Sequence, residues 1–334
     1  MRALLSVAPG GPDSLVLGDV ELPAQVPAGH VRVAVHACAV NYPDVLLIAD
    51  RYQRRPPRPF APGIDIAGVV AAVGGAVTHL RVGERVMAQL EQGGMAEFAD
   101  VSQNRCAVLP ASLPFDEAAA MLTTYGTARF ALEDCGSLRE GATLLVLGAA
   151  GGVGLAAVEV GRALGARVIA AVSSVDKLAV ARQKGATAGV IYPAGALDKA
   201  GARTFVEQVR AACSPATGPD VVLDVVGGDY AEAALRTIAR RGRYLVVGFA
   251  AGIPRVPLNL ALLNSVSILG VAWSEDLDAQ PDWLRNQLAA VLRLHETGRI
   301  RPLISERYPL EQGGRAIARL AERQAVGKVV VQIR

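Results

Sequence analysis

LVLGAAGGVGLAAVEVG, Leu145–Gly161, decides how this chain folds. Leu145, Val146 and Leu147 read as the end of a buried strand. A glycine-rich turn follows, and an apolar helical pattern begins directly after it. Gly148, Gly151 and Gly154 stand at G-x-x-G-x-x-G spacing; the commoner G-x-G-x-x-G would need glycine where Ala149 stands. Small residues let the backbone come close to a pyrophosphate, whose charge is met by amides at the helix N-terminus. Gly154 lets the helix pack closely on the strand. Strand, glycine turn and helix in immediate succession predict a dinucleotide-binding unit.

The pattern extends on both sides. Thr143–Ala149 is a buried strand and Gly151–Gly165 a helix; Arg167–Ser173 is a strand and Val175–Gly185 a helix. Gly189–Tyr192 is a short strand, Ala202–Cys213 a helix, Pro219–Gly227 a strand, Asp229–Gly242 a helix and Arg243–Phe249 a strand. Apolar strands alternating with helices predict an α/β fold with a doubly wound parallel sheet. Upstream, Pro114–Asp134 has helical composition with acidic residues in its first turn. The first third is β-rich, with strands expected at His30–Val40, Ile64–Gly74 and Val82–Ala88 and no alternation with helices. After Phe249 a strand (Ser265–Trp273) and a helix (Pro281–Gly298) lead to a closing strand, helix and strand. The expected organisation is a β-rich substrate domain over 1–120, a Rossmann domain over 121–260, and over 261–334 the remaining Rossmann edge and a return to the first domain.

Composition narrows the function. With 34 Lys+Arg against 31 Asp+Glu, the net charge of +3 is too small to point to a nucleic-acid or membrane partner. Cys38, Cys106, Cys135 and Cys213 are scattered, with no C-x-x-C pair, as expected for thiols in a reducing compartment. The opening MRALLSVAPGG has too short an apolar run for a secretory signal, and no apolar stretch is long enough to span a bilayer. The chain is expected in the cytoplasm. Cofactor choice is read at the tip of the second Rossmann strand. Enzymes that prefer NAD place Asp or Glu there for the ribose 2′-hydroxyl. This strand ends Ala171-Val172-Ser173-Ser174, and Lys177 follows within reach of a 2′-phosphate, although it reads equally as a solvated helix lysine. Asp176 lies in the first helical turn, where acidic residues are common. NADPH is the expected cofactor.

With these residues in place, the chain resembles the medium-chain dehydrogenase/reductase superfamily and, within it, the zinc-free quinone oxidoreductase (zeta-crystallin-like) branch. The matching motifs are NYPD (Asn41–Asp44), RYQRRPPRPFAPGIDIAG (Arg51–Gly68), VGERV (Val82–Val86), TYGTA (Thr124–Ala128), LGAAGGVG (Leu147–Gly154), DVVGG (Asp224–Gly228), VVGFA (Val246–Ala250) and GKVVV (Gly327–Val331). The resemblance implies a Rossmann sheet inserted in a discontinuous, GroES-like catalytic domain. Zinc-dependent relatives carry a zinc-binding Cys where Asn41 stands and a histidine where Ile64 stands. Thr123–Gly126 offers no Cys, and the cysteine-rich lobe is missing, so no metal is expected. Without zinc to stabilise an alkoxide, hydride addition to a quinone or conjugated enone is the favoured chemistry, because the electrons delocalise onto a remote oxygen.

The same resemblance assigns roles. Asn41, Asp44 and Thr127 line the nicotinamide side, Asn41 as a hydrogen-bonding partner of ribose or substrate carbonyl. Asp44 reads also as a structural acceptor, and Thr127 as a hydroxyl bonded to its own helix. Gly148, Ala150, Gly151, Gly152, Val153 and Gly154 form the pyrophosphate turn. Ser173, Lys177 and Tyr192 belong near the 2′-phosphate; Val226, Phe249, Ala250 and Lys328 complete the cofactor set. Tyr52 and Tyr42 join Asn41 as catalytic candidates, Tyr52 as a proton donor or as a ring packed across the acceptor. Arg51, Arg54, Arg55 and Arg58 are either an anchor for an acidic substrate tail or a solvated Pro-rich loop. Two other functions stay open: an enoyl-CoA or 2-enone reductase using Tyr52, and an NADPH-binding, non-catalytic protein of crystallin type. A homodimer is implied, paired through the edge strand Ser267–Trp273.

Overall fold

The computed structural model describes residues 1–193, 195–273 and 281–334. They form two compact units. One holds Met1–Thr123, Pro302–Arg334 and, of the described residues, 281–292; the other holds 124–273 and Arg293–Arg301.

In the second unit, Thr143–Leu147, Arg167–Val172, Ala188–Ile191, Val221–Asp224, Arg243–Val246 and Ser267–Gly270 form one parallel sheet. Their spatial order is third, second, first, fourth, fifth, sixth. This is the doubly wound parallel sheet expected from the alternation. Thr143–Leu147 is buried along its whole length, which is why its sequence is continuously apolar rather than alternating. The order reverses between Thr143–Leu147 and Val221–Asp224, and ligands of such sheets bind beyond the strand ends at that reversal.

In the first unit the sheet order is Ile304–Pro309, Lys328–Gln332, His30–Ala39, Asp65–Val73, Arg85–Gln89, Cys106–Val108, with Phe98–Ser102 also paired to His30–Ala39. His30–Ala39 serves three partners because it is long enough to divide one edge between Phe98–Ser102, at His30–Ala34, and Lys328–Gln332, at Ala37–Ala39, while its other edge pairs with Asp65–Val73. Val31, Val33, Val35, Ile66, Val86, Val329 and Val331 fill the core of this unit. Lys328–Gln332 therefore lies inside a sheet made mostly of strands from the first third of the chain.

Several elements differ from their sequence reading. The first third contains a helix, Tyr42–Ile48, too short to show a helical period. The helix expected over Asp229–Gly242 stops at Leu235, and the Thr237 hydroxyl then donates to the Ala234 carbonyl at 2.7 Å, drawing the chain into a turn. Phe115–Arg129 is α-helical, but its continuation, Phe130–Cys135, widens into a π-helix. Ser265–Trp273 contributes only Ser267–Gly270 to the sheet, preceded by a short helix, Asn259–Asn264. Among the described residues, no helix is long and apolar enough to cross a membrane.

Candidate functional site

The glycine turn of the second unit is built from close backbone contacts. Gly148 has φ +70°, and a Cβ there would lie 2.8 Å from a Val225 methyl and 3.0 Å from a Val226 methyl. A Cβ on Gly154 would lie 2.1 Å from the Gly148 carbonyl oxygen, so only glycine lets the helix Gly152–Ala163 start this close to the strand. Gly151 differs. Its φ of −80° suits any residue, and a Cβ would meet only the Gly148 oxygen, at an ordinary 3.5 Å. No side chain caps this helix. Ala150 is buried; Gly152 and Val153 are half-buried.

The tip of the second strand brings Ser173 and Lys177 together, with Lys177 Nζ 3.2 Å from Ser173 Oγ. Ser174 caps the next helix by accepting the Lys177 amide. Asp176 is exposed on the first turn of that helix. Tyr192 lies deeper than the sequence implies. It is buried, packs 4.7 Å from the Tyr230 ring and bonds to the Gly148 backbone, and burial pushes its phenol well up.

Beside the glycine turn, Asp224 is a residue that sequence reading passed over. It is buried at the end of its strand and accepts the Tyr244 hydroxyl at 2.5 Å and the amides of Val226 (2.7 Å) and Gly227 (2.9 Å). Desolvation raises its carboxyl, and these bonds oppose the rise. A carboxylate ending an apolar strand, just before Val-Val-Gly-Gly, was the available signal. Asp224 holds the turn that carries Val226, and this turn interlocks with the next one through Gly228 N–H to the Gly252 carbonyl (2.8 Å) and Ala251 N–H to the Val226 carbonyl (2.7 Å). Phe249, on that second turn, is 44% exposed, and its neighbour Ala250 is half-buried. Thr127 is buried in the helix Phe115–Arg129.

In the first unit, Asn41, Asp44, Asp65, Thr123 and Lys328 converge, all but Thr123 buried. Asp44 spends both oxygens on backbone: Oδ2 accepts the Asn41 amide at 2.8 Å and Oδ1 the Gly63 amide at 2.9 Å. This geometry is that of a structural acceptor holding the loop. Burial pushes its carboxyl up to about 6, against the pull of those two amides. Asn41 Nδ2 donates to Asp65 Oδ2 (2.8 Å) and its Oδ1 accepts from Lys328 Nζ (2.7 Å). Thr123 Oγ1 donates to Asp65 Oδ1 at 2.6 Å. Asn41 is thus engaged inside the fold rather than free at a surface. Tyr42 is 37% exposed, while Tyr52 packs on Leu47, Phe60 and Ile64. Of the arginines, Arg54 pairs with Glu91 (2.5 Å) and Arg58 with Asp50 (2.8 Å); Arg51 and Arg55 are exposed.

Comparison with known proteins decides the family. Residues 27–143 match the family described as alcohol dehydrogenase GroES-like domain, and residues 152–293 that described as zinc-binding dehydrogenase. The chain is 37% identical to quinone oxidoreductase-like protein 2 of Bos taurus, over 96% of this chain and 89% of that one. It belongs to the medium-chain dehydrogenase/reductase family, in the quinone oxidoreductase-like branch. Solved structures of this family overlay its whole length. The mycobacterial protein Rv1454c complexed with NADPH gives a TM-score of 0.91 at 29% identity, covering 100% of both chains. Escherichia coli quinone oxidoreductase complexed with NADPH gives 0.89 at 26% identity, again covering 100% of both. The medium-chain fold accounts for both units, the GroES-like sheet and the Rossmann sheet.

The zinc in one family description does not suit the donors present. Among the described residues, no three of His, Cys, Asp and Glu converge as metal ligands. Asn41 and Asp65 are bonded to each other, and an ammonium already contacts Asn41 Oδ1.

Proposed function

We propose that this chain is an NADPH-dependent oxidoreductase that reduces quinones or other conjugated carbonyls without a metal. The observation that carries the reading is the pairing of Lys177 with Ser173 at a strand tip that bears no carboxylate. An ammonium and a hydroxyl there suit a 2′-phosphate, whereas a 2′-hydroxyl is normally met by Asp or Glu. Gly151 supports the same cofactor: the fold has room for a Cβ there, so its glycine is explained by close approach of a pyrophosphate. Bound NADPH supplies a hydride. The chain's part is to hold the dinucleotide with Gly148–Gly154, Ser173 and Lys177, to shape the neighbouring turns through Val226, Phe249 and Ala250, and to present Tyr42 and Tyr52 as hydroxyls for the acceptor.

Gly151→Ala tests the cofactor site. Its methyl is compatible with the fold, so the melting temperature stays within about 2 °C of wild type, while the Kd for NADPH rises about ten-fold. An unchanged Kd would remove Gly151 from the site.

The acceptor is tested by following NADPH oxidation with 1,4-benzoquinone, 9,10-phenanthrenequinone and crotonyl-CoA, with NADH in parallel. Turnover with the quinones and preference for NADPH are expected. Preference for crotonyl-CoA would make the chain an enoyl-thioester reductase with Tyr52 as donor, and NADPH binding without turnover would make it a non-catalytic binder. The pairing of Arg54 and Arg58 with Glu91 and Asp50 weighs against an anchor for an acidic tail.

A homodimer paired through the sheet edge is part of the same proposal. Ser267–Gly270 ends the Rossmann sheet with one side unpaired among the described strands, and Leu262 (79% exposed) and Leu263 (67%) stand just before it. A second copy pairing edge to edge would satisfy those backbone groups and cover the leucines. The expected mass in solution is that of a homodimer, and Leu262→Glu with Leu263→Glu shifts it to monomer.

A further inference from the structure

Lys328 is a buried ammonium with an unusual setting. Its Nζ donates to the Val40 carbonyl at 2.8 Å and to Asn41 Oδ1 at 2.7 Å. Both are neutral oxygens at the distance at which proteins coordinate a monovalent cation. The negative charge lies one layer out. Asp65, without exposed surface, reaches Lys328 through the Asn41 amide, and Asp44 stands behind the same asparagine. Both carboxylates attract the ammonium, while burial disfavours its charge. Taking a charge out of water costs several kcal/mol, and the cost is met only by compensation of this kind.

The donors come from distant stretches of the chain. Val40 and Asn41 follow the strand His30–Ala39, Asp65 opens the next strand, Thr123 steadies Asp65, and Lys328 opens a third strand. Neutral oxygens inside and carboxylates outside are the surroundings a buried cation needs, and here the charge they surround is the chain's own ammonium.

We propose that Lys328 is a built-in cation: its ammonium fills a site made by Val40, Asn41, Asp65 and Asp44, and it fixes the direction of the Asn41 amide. Oδ1 must face Lys328 and Nδ2 must face Asp65; the reverse orientation would set donor against donor and acceptor against acceptor. Lys328 is therefore a positioning residue, acting through Asn41 on the turn that presents Tyr42. The positive charge that a metal ion would bring to such a site comes with the polypeptide and cannot be removed by a chelator. This inference deepens the metal-free part of the reading above. Its readouts are melting temperature and cation binding, so it can fail while NADPH oxidation stands.

The test compares wild type, Lys328→Ala, Asp65→Asn and the double variant, melted in methylammonium chloride and in sodium chloride at equal ionic strength. Methylammonium should raise the melting temperature of Lys328→Ala above its value in sodium chloride and leave wild type unchanged, because only the variant has an empty site. The double variant should be more stable than Lys328→Ala and indifferent to methylammonium, since it has lost both the cation and the carboxylate that attracts it most. Should Lys328→Ala not fold in sodium chloride, its refolding yield in methylammonium is read instead, and a gain is expected. No selective effect of methylammonium, or additive losses in the double variant, would overturn the proposal. So would a wild-type melting temperature that falls after dialysis against EDTA and returns with zinc.

Discussion

Lys177→Ala weakens NADPH binding about 10- to 100-fold and leaves NADH binding within about two-fold. A charge-assisted bond from an ammonium to a phosphate contributes about 1.5–3 kcal/mol, and each 1.4 kcal/mol is a decade in affinity. The residue sits on the first turns of the helix Val175–Gln183, whose start is capped by Ser174 rather than by the lysine side chain. Its removal therefore acts on the ligand and not on the fold. Ser173→Ala, which removes a neutral partner of the same phosphate, costs less. Fluorescence titration of both cofactors at two salt concentrations measures the effect; the NADPH loss should shrink at high salt as the phosphate is screened. Equal losses for NADPH and NADH would mean that Lys177 serves some other part of the dinucleotide.

Asp44→Asn destabilises the protein by about 1–3 kcal/mol at pH 5 and by clearly less at pH 7.5. Both oxygens of Asp44 accept backbone amides, from Asn41 and Gly63, so an amide side chain must turn its NH2 toward one of them. A buried donor left without an acceptor costs that much. The pH dependence follows from the carboxyl itself, raised from 3.8 to about 6 in the fold. A folded pKa above the unfolded one gives a contribution that is complete below about pH 4 and lost as pH rises through about 6, here about 3 kcal/mol. The variant lacks that loss, so the gap between the two proteins narrows with rising pH. Melting temperatures from pH 4.5 to 7.5 measure it, and a gap of constant size would mean that Asp44 titrates as an ordinary carboxylate.

The Rossmann unit was legible because its signals are local. Leu145–Gly161 holds strand, turn and helix in one stretch, and Ser173 and Lys177 are separated by one helical turn. The first unit was less so. Tyr42–Ile48 is shorter than two full helical turns, and its one sequence mark was Asn41 followed by Asp44 at capping spacing. Lys328 was connected with the cofactor by resemblance, but its partner Asn41 lies 287 positions away. No spacing rule reaches that far. Asp224 was readable in principle, since a carboxylate at the end of Val221–Asp224 needs partners once buried. Its partner Tyr244 comes from the neighbouring strand, and only the sheet order brings the two together.

Lys328–Gln332 lies between two other strands of its sheet and leaves the ribosome after both of them. At about 5–20 residues per second, roughly 15–60 s pass between the synthesis of Asn41 and that of Lys328. Throughout that interval the strand His30–Ala39 has an open seam, while the parallel sheet downstream has time to form. Until its inner strand arrives, the nascent first unit carries an unpaired strand edge, the kind of surface through which one chain pairs with another.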